Sequence, residues 1–408
     1  MAAVPYALAI DLGTTYTAAA IADDRGVRMV ELAHDRAAVR SVVSPSTTSL
    51  LVGEEALSVA AATPWKVVRE FKRRFGDPTP FIVETGTYKS EQLMARLAEW
   101  VVEQASSMEG ERPHTLVLTH PATWGEFKLK MLDELARGIG IPNVRLLPEP
   151  TAAAIHYHER SRVPDGASIA VYDLGGGTFD AAVLERRADG YIIRGQPRGL
   201  DHVGGIDFDE AVFNLVLEGL DGALEKLDPE DLSAQRSVAR LREECTRAKV
   251  ALSFDTRVVL PVLLPGLATE VMVQRSQFEK SISPYIDRTV ETMKDALDSA
   301  GLTSQALRAV LLVGGSSRLP MVSHALTSAL GVNVVIDTHP KHAVAMGAAL
   351  SNLCRGPGPD GSGEGVSRSR AHPATNHDDR RVGVSGTPQS APACRSQWPP
   401  RWPAHRPT

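Results

Sequence analysis

Two segments of the chain share one pattern of apolar and polar positions. Ile169 to Tyr172 is apolar, Asp173-Leu-Gly-Gly-Gly-Thr interrupts it, and apolar positions resume from Phe179 to Leu184. Near the N-terminus, Ala7 to Ile10 runs into Asp11-Leu-Gly-Thr-Thr and then a second apolar stretch from Ala18 to Ile21. Each reads as a strand, a glycine turn and a returning strand. Repetition of the unit predicts two related lobes gripping one ligand from opposite sides.

Elsewhere the period changes. From Tyr88 to Met108, Leu93, Leu97, Trp100, Val101, Ala105 and Met108 recur at helical spacing, which predicts a helix with those side chains in a core. Arg40 to Val52 is rich in β-branched residues, and Val52 to Ala56 reads as a turn into a helix. Leu116–Thr119, Val144–Leu147 and Ala309–Val313 read as short buried strands, with helices over 126–139 and 232–253, the latter turning Leu241, Ala248 and Leu252 inward. Ser276 to Glu279 has the form of a capping box, and Phe278, Ile282, Ile286, Val290, Met293 and Leu297 continue as an apolar stripe until Gly301 closes the helix. A strand over 332–336 and a helix over 342–353 complete the pattern. From about Arg355 glycine, proline, serine and arginine replace periodic aliphatics, so burial cannot offset the entropy of ordering and a disordered tail is expected.

Composition narrows the class. The 408 residues suffice for two sizeable cores, and 43% hydrophobic content is ordinary for a globular protein. A formal net charge of -5 argues against nucleic acid and anionic membrane as partners. Cys245, Cys354 and Cys394 have neither metal-ligand nor redox spacing, which fits a reducing compartment. The N-terminus enters its first strand without a basic or long apolar leader, and no later run is long enough to span a bilayer. A soluble, cytoplasmic protein is expected.

The chemistry concentrates at the turns. Glycines without side chains let backbone amides close on an anion, while Asp173 and Asp180 flank the second tip and Thr178 adds a hydroxyl. A polyphosphate carrying a divalent cation fits that set. Glu149 follows Pro148 at a strand-to-helix junction, and ligands of open α/β sheets bind at such strand ends. Gly204-Gly205 before one helix and Gly314 to Pro320 before another form further anion or nucleotide platforms. On its own, the basic run from Arg69 to Pro78 reads as a solvated helix end.

Taken in order, Asp11-Leu-Gly-Thr-Thr, Glu149-Pro-Thr-Ala-Ala-Ala, Asp173-Leu-Gly-Gly-Gly-Thr-Phe-Asp and Val313-Gly-Gly-Ser-Ser-Arg-Leu-Pro, joined by His202-Val-Gly-Gly and Arg247-Ala-Lys, make residues 6–353 resemble an Hsp70 nucleotide-binding domain. The resemblance implies an α/β, actin-like ATPase fold: two related lobes, each with a mixed β-sheet flanked by helices, spanning 1–165 and 166–353, with 354–408 as tail. It implies ATP/ADP and Mg2+ as ligands. Gly13, Thr14 and Thr15 would bind phosphate from the first lobe, and Gly175, Gly176, Gly177 and Thr178 from the second. Asp11 and Asp173 would hold hydrated magnesium, with Glu149 in its outer shell, and Lys72 matches the family's catalytic lysine. Phosphoryl transfer needs placed positive charge and an oriented water, which suits this set. Gly204, Gly205, Lys249, Ser253, Gly314, Gly315, Ser316 and Arg318 would line the ribose, adenine and nearby phosphate pocket, and Pro121 would couple nucleotide state to lobe movement.

The chain departs from the family pattern at Thr246 and Val250, on the adenine and ribose side, and at Lys341-His342, where two carboxylates are usual. Leu129 falls near an expected basic residue, with Lys128 and Lys130 beside it as substitutes. After Leu353 neither an acidic, leucine-rich linker nor a peptide-binding domain is recognised. The leading expectation is therefore a slow, monomeric, chaperone-related ATPase read by another protein, with J-domain or exchange-factor co-chaperones as candidate partners. A nucleotide-sensing module with negligible turnover is the alternative, while an actin-like filament former and a sugar kinase fit fewer of the motifs.

Overall fold

Small apolar residues set the centre of the molecule. In the computed structural model, which describes residues 5–33, 36–46, 48–336 and 342–353, the first glycine turn joins β1 (Ala7–Leu12) to β2 (Tyr16–Asp23), antiparallel with Ala7 opposite Ala22 and Leu12 opposite Thr17. β3 (Gly26–Met29) continues the meander and β4 (Ala38–Arg40) pairs with the start of β2. Two small ribbons, β5 (Val43–Pro45) with β6 (Leu50–Val52) and β7 (Phe81–Val83) with β8 (Gly86–Tyr88), flank α1 (Glu54–Ala62). After α2 (Ser90–Glu109) come β9 (Thr115–His120), α3 (Glu126–Gly138), β10 (Asn143–Pro148) and α4 (Glu149–Ser161). The strands β9 and β10 add parallel to β1, giving the order β10-β9-β1-β2-β3.

The second half repeats this plan. β11 (Ser168–Leu174), β12 (Thr178–Arg187) and β13 (Gly190–Asp201) form the meander, followed by α5 (Gly205–Glu218) and α6 (Leu232–Ala251). A ribbon of β14 (Arg257–Leu264) and β15 (Leu267–Gln274) leads into α7 (Arg275–Ser299), then β16 (Leu307–Val313), α8 (Pro320–Leu330), β17 (Val334–Ile336) and α9 (Ala343–Leu353). The order β13-β12-β11-β16-β17 matches the first sheet's β3-β2-β1-β9-β10, to which β4 alone is extra, with β16 parallel to β11. The duplication read from the two glycine turns thus extends to whole sheets.

Three apolar clusters hold the parts. Leu8, Ile10 and Ile21 face α2 through Leu93, Leu97 and Val101, while Tyr172, Phe179 and Val183 face α5 and α7 through Phe208, Val212 and Ile286. Between the sheets, Ala7, Ala9, Ala18 and Ala20 pack with Ala152–Ala154 of α4, Ile169, Val171 and Ala182, and Val344, Ala345 and Ala348 of α9. Alanines bring α4 and α9 very close, and a methyl on Gly347 would enter the Ala152 carbonyl. α9, near the end of the described chain, therefore rests on β1 and β2 of the first sheet.

Some expectations are corrected. Met108 is half exposed because the last turn of α2 runs past the core. The N-cap of α7 is Gln274 rather than Ser276, with the Gln274 amide donating to Gln277 Oε1 at 3.0 Å, since β15 delivers an extended residue directly to the helix. The basic run is a 3₁₀ turn, Phe71–Arg74, and not an α-helix end. β13, β14 and β15 escaped the apolar pattern: β14 alternates buried Leu260 and Val262 with exposed Val259 and Leu263, so both its faces are apolar. The expected tail, with Cys354 and Cys394, and Lys341 lie outside the described residues.

Candidate functional site

Both glycine tips, the start of α4 after β10, the start of α5, the end of α6 and the turn after β16 converge on one cleft of about 400 Å³. Gly13, Thr14 and Thr15 approach from one side and Gly175, Gly176 and Thr178 from the other. Only glycine fits at the meeting point: a Cβ on Gly176 would overlap the Thr15 hydroxyl. Gly177 and Gly204 are not on the cleft surface. A Cβ on Gly177 would lie 2.7 Å from Thr14 Cγ2, and one on Gly204 would lie 2.7 Å from the Gly177 nitrogen, so these two glycines let the loop, the first tip and α5 stack closely.

The second tip is held by its carbonyls. The Gly205 amide donates to Gly175 O at 3.0 Å, the Ile206 amide to Gly176 O at 2.8 Å, and Ser316 Oγ to Gly175 O at 2.9 Å. Gly314, at φ 81°, permits this approach, because a side chain there would press on Leu174 O. Lys249 Nζ donates to Gly205 O at 2.7 Å and pairs with Asp209 at 2.8 Å, fixing α6 to α5 beside the tip. Gly315, Ser253 and Arg318 complete this wall of the cleft.

At the cleft base, Phe71 and Phe75 anchor the 3₁₀ turn in the core and carry the Lys72 and Arg73 side chains between them inward, while Arg74 turns out over the Phe81 ring. Lys72 Nζ donates to Glu149 Oε1 at 2.8 Å, each side chain only 10% exposed. Glu149 is the first residue of α4, after Pro148. Asp11, at the end of β1, accepts from Thr119 Oγ1 at 3.2 Å, and Asp180 accepts from Thr123 Oγ1 at 2.7 Å. Asp173 and Thr178 line the same floor.

This many carboxylates in one dry place cannot all ionise cheaply. Burial, then the Glu149 charge, raises Asp11 to about 7, against the pull of Lys72. Burial raises Asp180 to about 6, and burial with Glu149, Asp180 and Asp11 nearby raises Asp173 well above the ordinary carboxylate range. Burial disfavours the Lys72 ammonium, but Glu149 and Asp11 outweigh it and the lysine is held more firmly protonated than usual. Lys72 is therefore a fixed positive charge rather than a base.

Several cleft residues were not singled out in the sequence for a role. Asp180 flanks the tip in the sequence with no role attached, while Arg40, Asp209 and Phe254 stand on a strand, a helix and a turn that carry no motif. Arg73 extends Nη2 to Asp207 Oδ2 at 3.0 Å and Nη1 to Glu70 Oε2 at 3.0 Å. Arg40 and Arg69 both reach Glu243 of α6, at 3.2 and 2.7 Å. Of the departures, Thr246 donates its hydroxyl back to Arg242 O at 3.2 Å, Val250 and His342 line the cleft, Lys128 lies over the Trp124 ring, and Lys130 pairs with Glu134. Pro121 follows β9, its carbonyl 2.8 Å from His120 Nδ1.

The residues suit a magnesium-bound polyphosphate. The donors on the floor are hard carboxylate oxygens, held above the ordinary carboxylate range by burial and by one another despite Lys72, so that a cation there would relieve their repulsion. Among the described residues no three acidic, histidine or cysteine side chains converge tightly enough to hold a metal alone. A hydrated Mg2+ shared with phosphate oxygens needs only one or two carboxylates. Thr15 Oγ1 is buried without a hydrogen-bond partner, an orphan that a phosphate oxygen would satisfy.

The model of the Hsp70 protein family matches residues 7–357. The chaperone protein DnaK of Mycoplasma mobile (strain ATCC 43663 / 163K / NCTC 11711) is 33% identical over 352 residues, a match covering 84% of this chain and 57% of that relative. The chain thus spans little more than half the length of the relative.

Proposed function

Because the chain belongs to the Hsp70 family, we propose that its cleft binds Mg-ATP and slowly hydrolyses it to ADP and phosphate, and that nucleotide state sets how tightly two lobes, 1–165 and 166–353, close. The observation that carries this reading is the buried Lys72–Glu149 pair, placed between Asp11 and Asp173 beneath two glycine tips.

The roles follow from the chemistry. The glycine tips, with Thr14, Thr15 and Thr178, would embrace the phosphates. Lys72, kept charged by Glu149 and Asp11, would stabilise negative charge on the transferring phosphoryl group, and Glu149 would also fix where that charge stands. Asp11 and Asp173 would hold the hydrated magnesium ion, which when bound neutralises phosphate oxygens. Lys249 fixes Gly205, and Ser253, Ser316 and Arg318 would receive the nucleoside end. In this reading the protein is chaperone-related and cytoplasmic, and co-chaperones of the J-domain or exchange-factor type are its candidate partners. Among the described residues, no helix is long and apolar enough to cross a membrane.

Single-turnover hydrolysis of ATP with magnesium, compared with Lys72→Ala, tests the proposal. The expected result is a loss of at least a hundredfold in rate with ATP affinity nearly kept. Unchanged turnover removes Lys72 from the mechanism. The altered nucleoside side, with Val250 and Thr246, favours one second reading, a nucleotide sensor with negligible turnover. Tight binding without hydrolysis in either protein would select it.

A further inference from the structure

Behind the first glycine tip lies a serine that no motif marks. Ser41 follows β4, is buried, and stands outside the lining of the cleft. Its amide donates to Thr15 O at 2.8 Å and its hydroxyl to Gly13 O at 2.7 Å. One residue thus holds both ends of Gly13-Thr14-Thr15. The Thr17 hydroxyl, also buried, stands 2.9 Å from Ser41 Oγ. With the Ser41 proton committed to Gly13 O, Thr17 donates to Ser41, and the two hydroxyls form a chain with one direction.

These bonds decide where the tip's amide points. A trans peptide is planar, so the Gly13 carbonyl and the Thr14 N–H face opposite ways. The carbonyl is turned back to Ser41, away from the cleft that Gly13 and Thr14 line, and the Thr14 N–H is therefore turned toward the cleft. An amide aimed in this way is a donor for an anion. The second tip shows the same device. Gly175 holds the place of Gly13 in the repeated Asp-Leu-Gly unit, and its carbonyl accepts from Ser316 Oγ at 2.9 Å. Ser41 comes from the end of β4 and Ser316 from the turn after β16, so the two serines have no common place in the duplicated plan. Each tip has its own hydroxyl on the same carbonyl, a convergence that packing alone does not require.

Resting on the reading of the cleft as a nucleotide site, we infer that Ser41 is a positioning residue for phosphate, holding the Gly13 carbonyl back so that the Thr14 amide meets a phosphate oxygen. Ser41 touches no ligand itself. It acts through the peptide between Gly13 and Thr14, and removing its hydroxyl frees that peptide to rotate.

The test is equilibrium binding of ATP and of inorganic tripolyphosphate, with magnesium, to the wild-type protein, Ser41→Ala, Ser41→Cys and Ser44→Ala, alongside the thermal midpoints of the ligand-free proteins. Ser44 is the control, because its hydroxyl donates to Lys66 O at 3.0 Å, outside the cleft. Ser41→Ala is expected to weaken ATP and tripolyphosphate alike, by on the order of tenfold, since the lost contact is to phosphate and not to the nucleoside. Ser41→Cys keeps the shape of the side chain with a weaker donor and should lose about threefold; it carries the test if Ser41→Ala does not fold. Ser44→Ala should lower the thermal midpoint and leave both affinities unchanged. Undiminished binding by Ser41→Ala and Ser41→Cys, in a protein whose wild type binds ATP, would overturn the positioning role and leave the nucleotide site standing. A loss confined to ATP would place the defect at the nucleoside and overturn it too, as would an equal loss in Ser44→Ala, which marks general loosening. Wild-type protein that binds neither ATP nor tripolyphosphate would overturn the nucleotide reading itself, and the role of Ser41 with it.

Discussion

Asp11 shows how one residue trades stability for a site. Its folded-state pKa of about 7 stands above the ordinary 3.8, so between those values the native protein holds a proton that the unfolded chain releases. The stabilisation is complete below pH 4 and is lost as pH rises through 7, where the ionised carboxylate faces Glu149 in a buried place. Ligand-free protein should therefore lose thermal stability between about pH 4 and 7. Asp11→Asn should flatten that slope and at pH 7.5 be more stable by on the order of 1 kcal/mol, while losing magnesium-dependent nucleotide affinity. Some slope should persist from Asp180, whose pKa is about 6. Thermal denaturation across pH reads this directly, and a less stable Asp11→Asn at pH 7.5 would show that Lys72 already stabilises the charge.

Among elements, the crossing of α4 and α9 decides whether the two sheets can share one centre. Ala152, Ala153 and Ala154 meet Ala345, Ala348 and Gly347, and this close approach puts Glu149, at the N-terminus of α4, onto the cleft floor. Gly347→Ala places a methyl inside the Ala152 carbonyl, which neither backbone can avoid without moving. Overpacking of this kind costs about 1–3 kcal/mol. Urea unfolding should show that loss, and the shift of α4 should lower ATP affinity as well. Ala325→Gly on α8, half-buried but away from the crossing, should cost the helix-propensity difference of ~1 kcal/mol with some lost packing and leave binding intact.

At the scale of the molecule, ion pairs bridge the two sheet-bearing halves over the cleft. Arg40 and Arg69 converge on Glu243, whose carboxyl is held below its usual pKa by both arginines despite its burial. Arg73 reaches Asp207, and Arg236 Nε donates to Ala62 O at 2.9 Å. Each of these partly buried pairs alone contributes modestly, but several acting on one motion change a rate. Glu243→Ala should speed nucleotide release several-fold while changing global stability by less than about 1 kcal/mol. Stopped-flow release of a fluorescent nucleotide at low and high salt would check this, and the wild-type rate should rise with salt toward that of the variant.

The sequence by itself determined the local grammar. Asp-Leu-Gly tips, the strands around them, the inward stripes of α2 and α7, and Glu149 at a strand end were legible, because each depends on the nearest few residues and on a period of two or 3.6. Lys72 needed more than its own neighbourhood. Its basic run has the composition of a solvated helix end, and it turns inward only because Phe71 and Phe75 are claimed by a core built from β1 and α2. Tertiary structure alone decided the partners: Arg40 and Arg69 on Glu243, Arg73 on Asp207, Phe254 opposite Arg318, and α9 returned to the first sheet. Arg40 and Glu243 alone stand 203 positions apart, and no local periodicity records such contacts. They exist because two sheets with the same strand order pack on one helix pair, bringing both glycine tips to the same place.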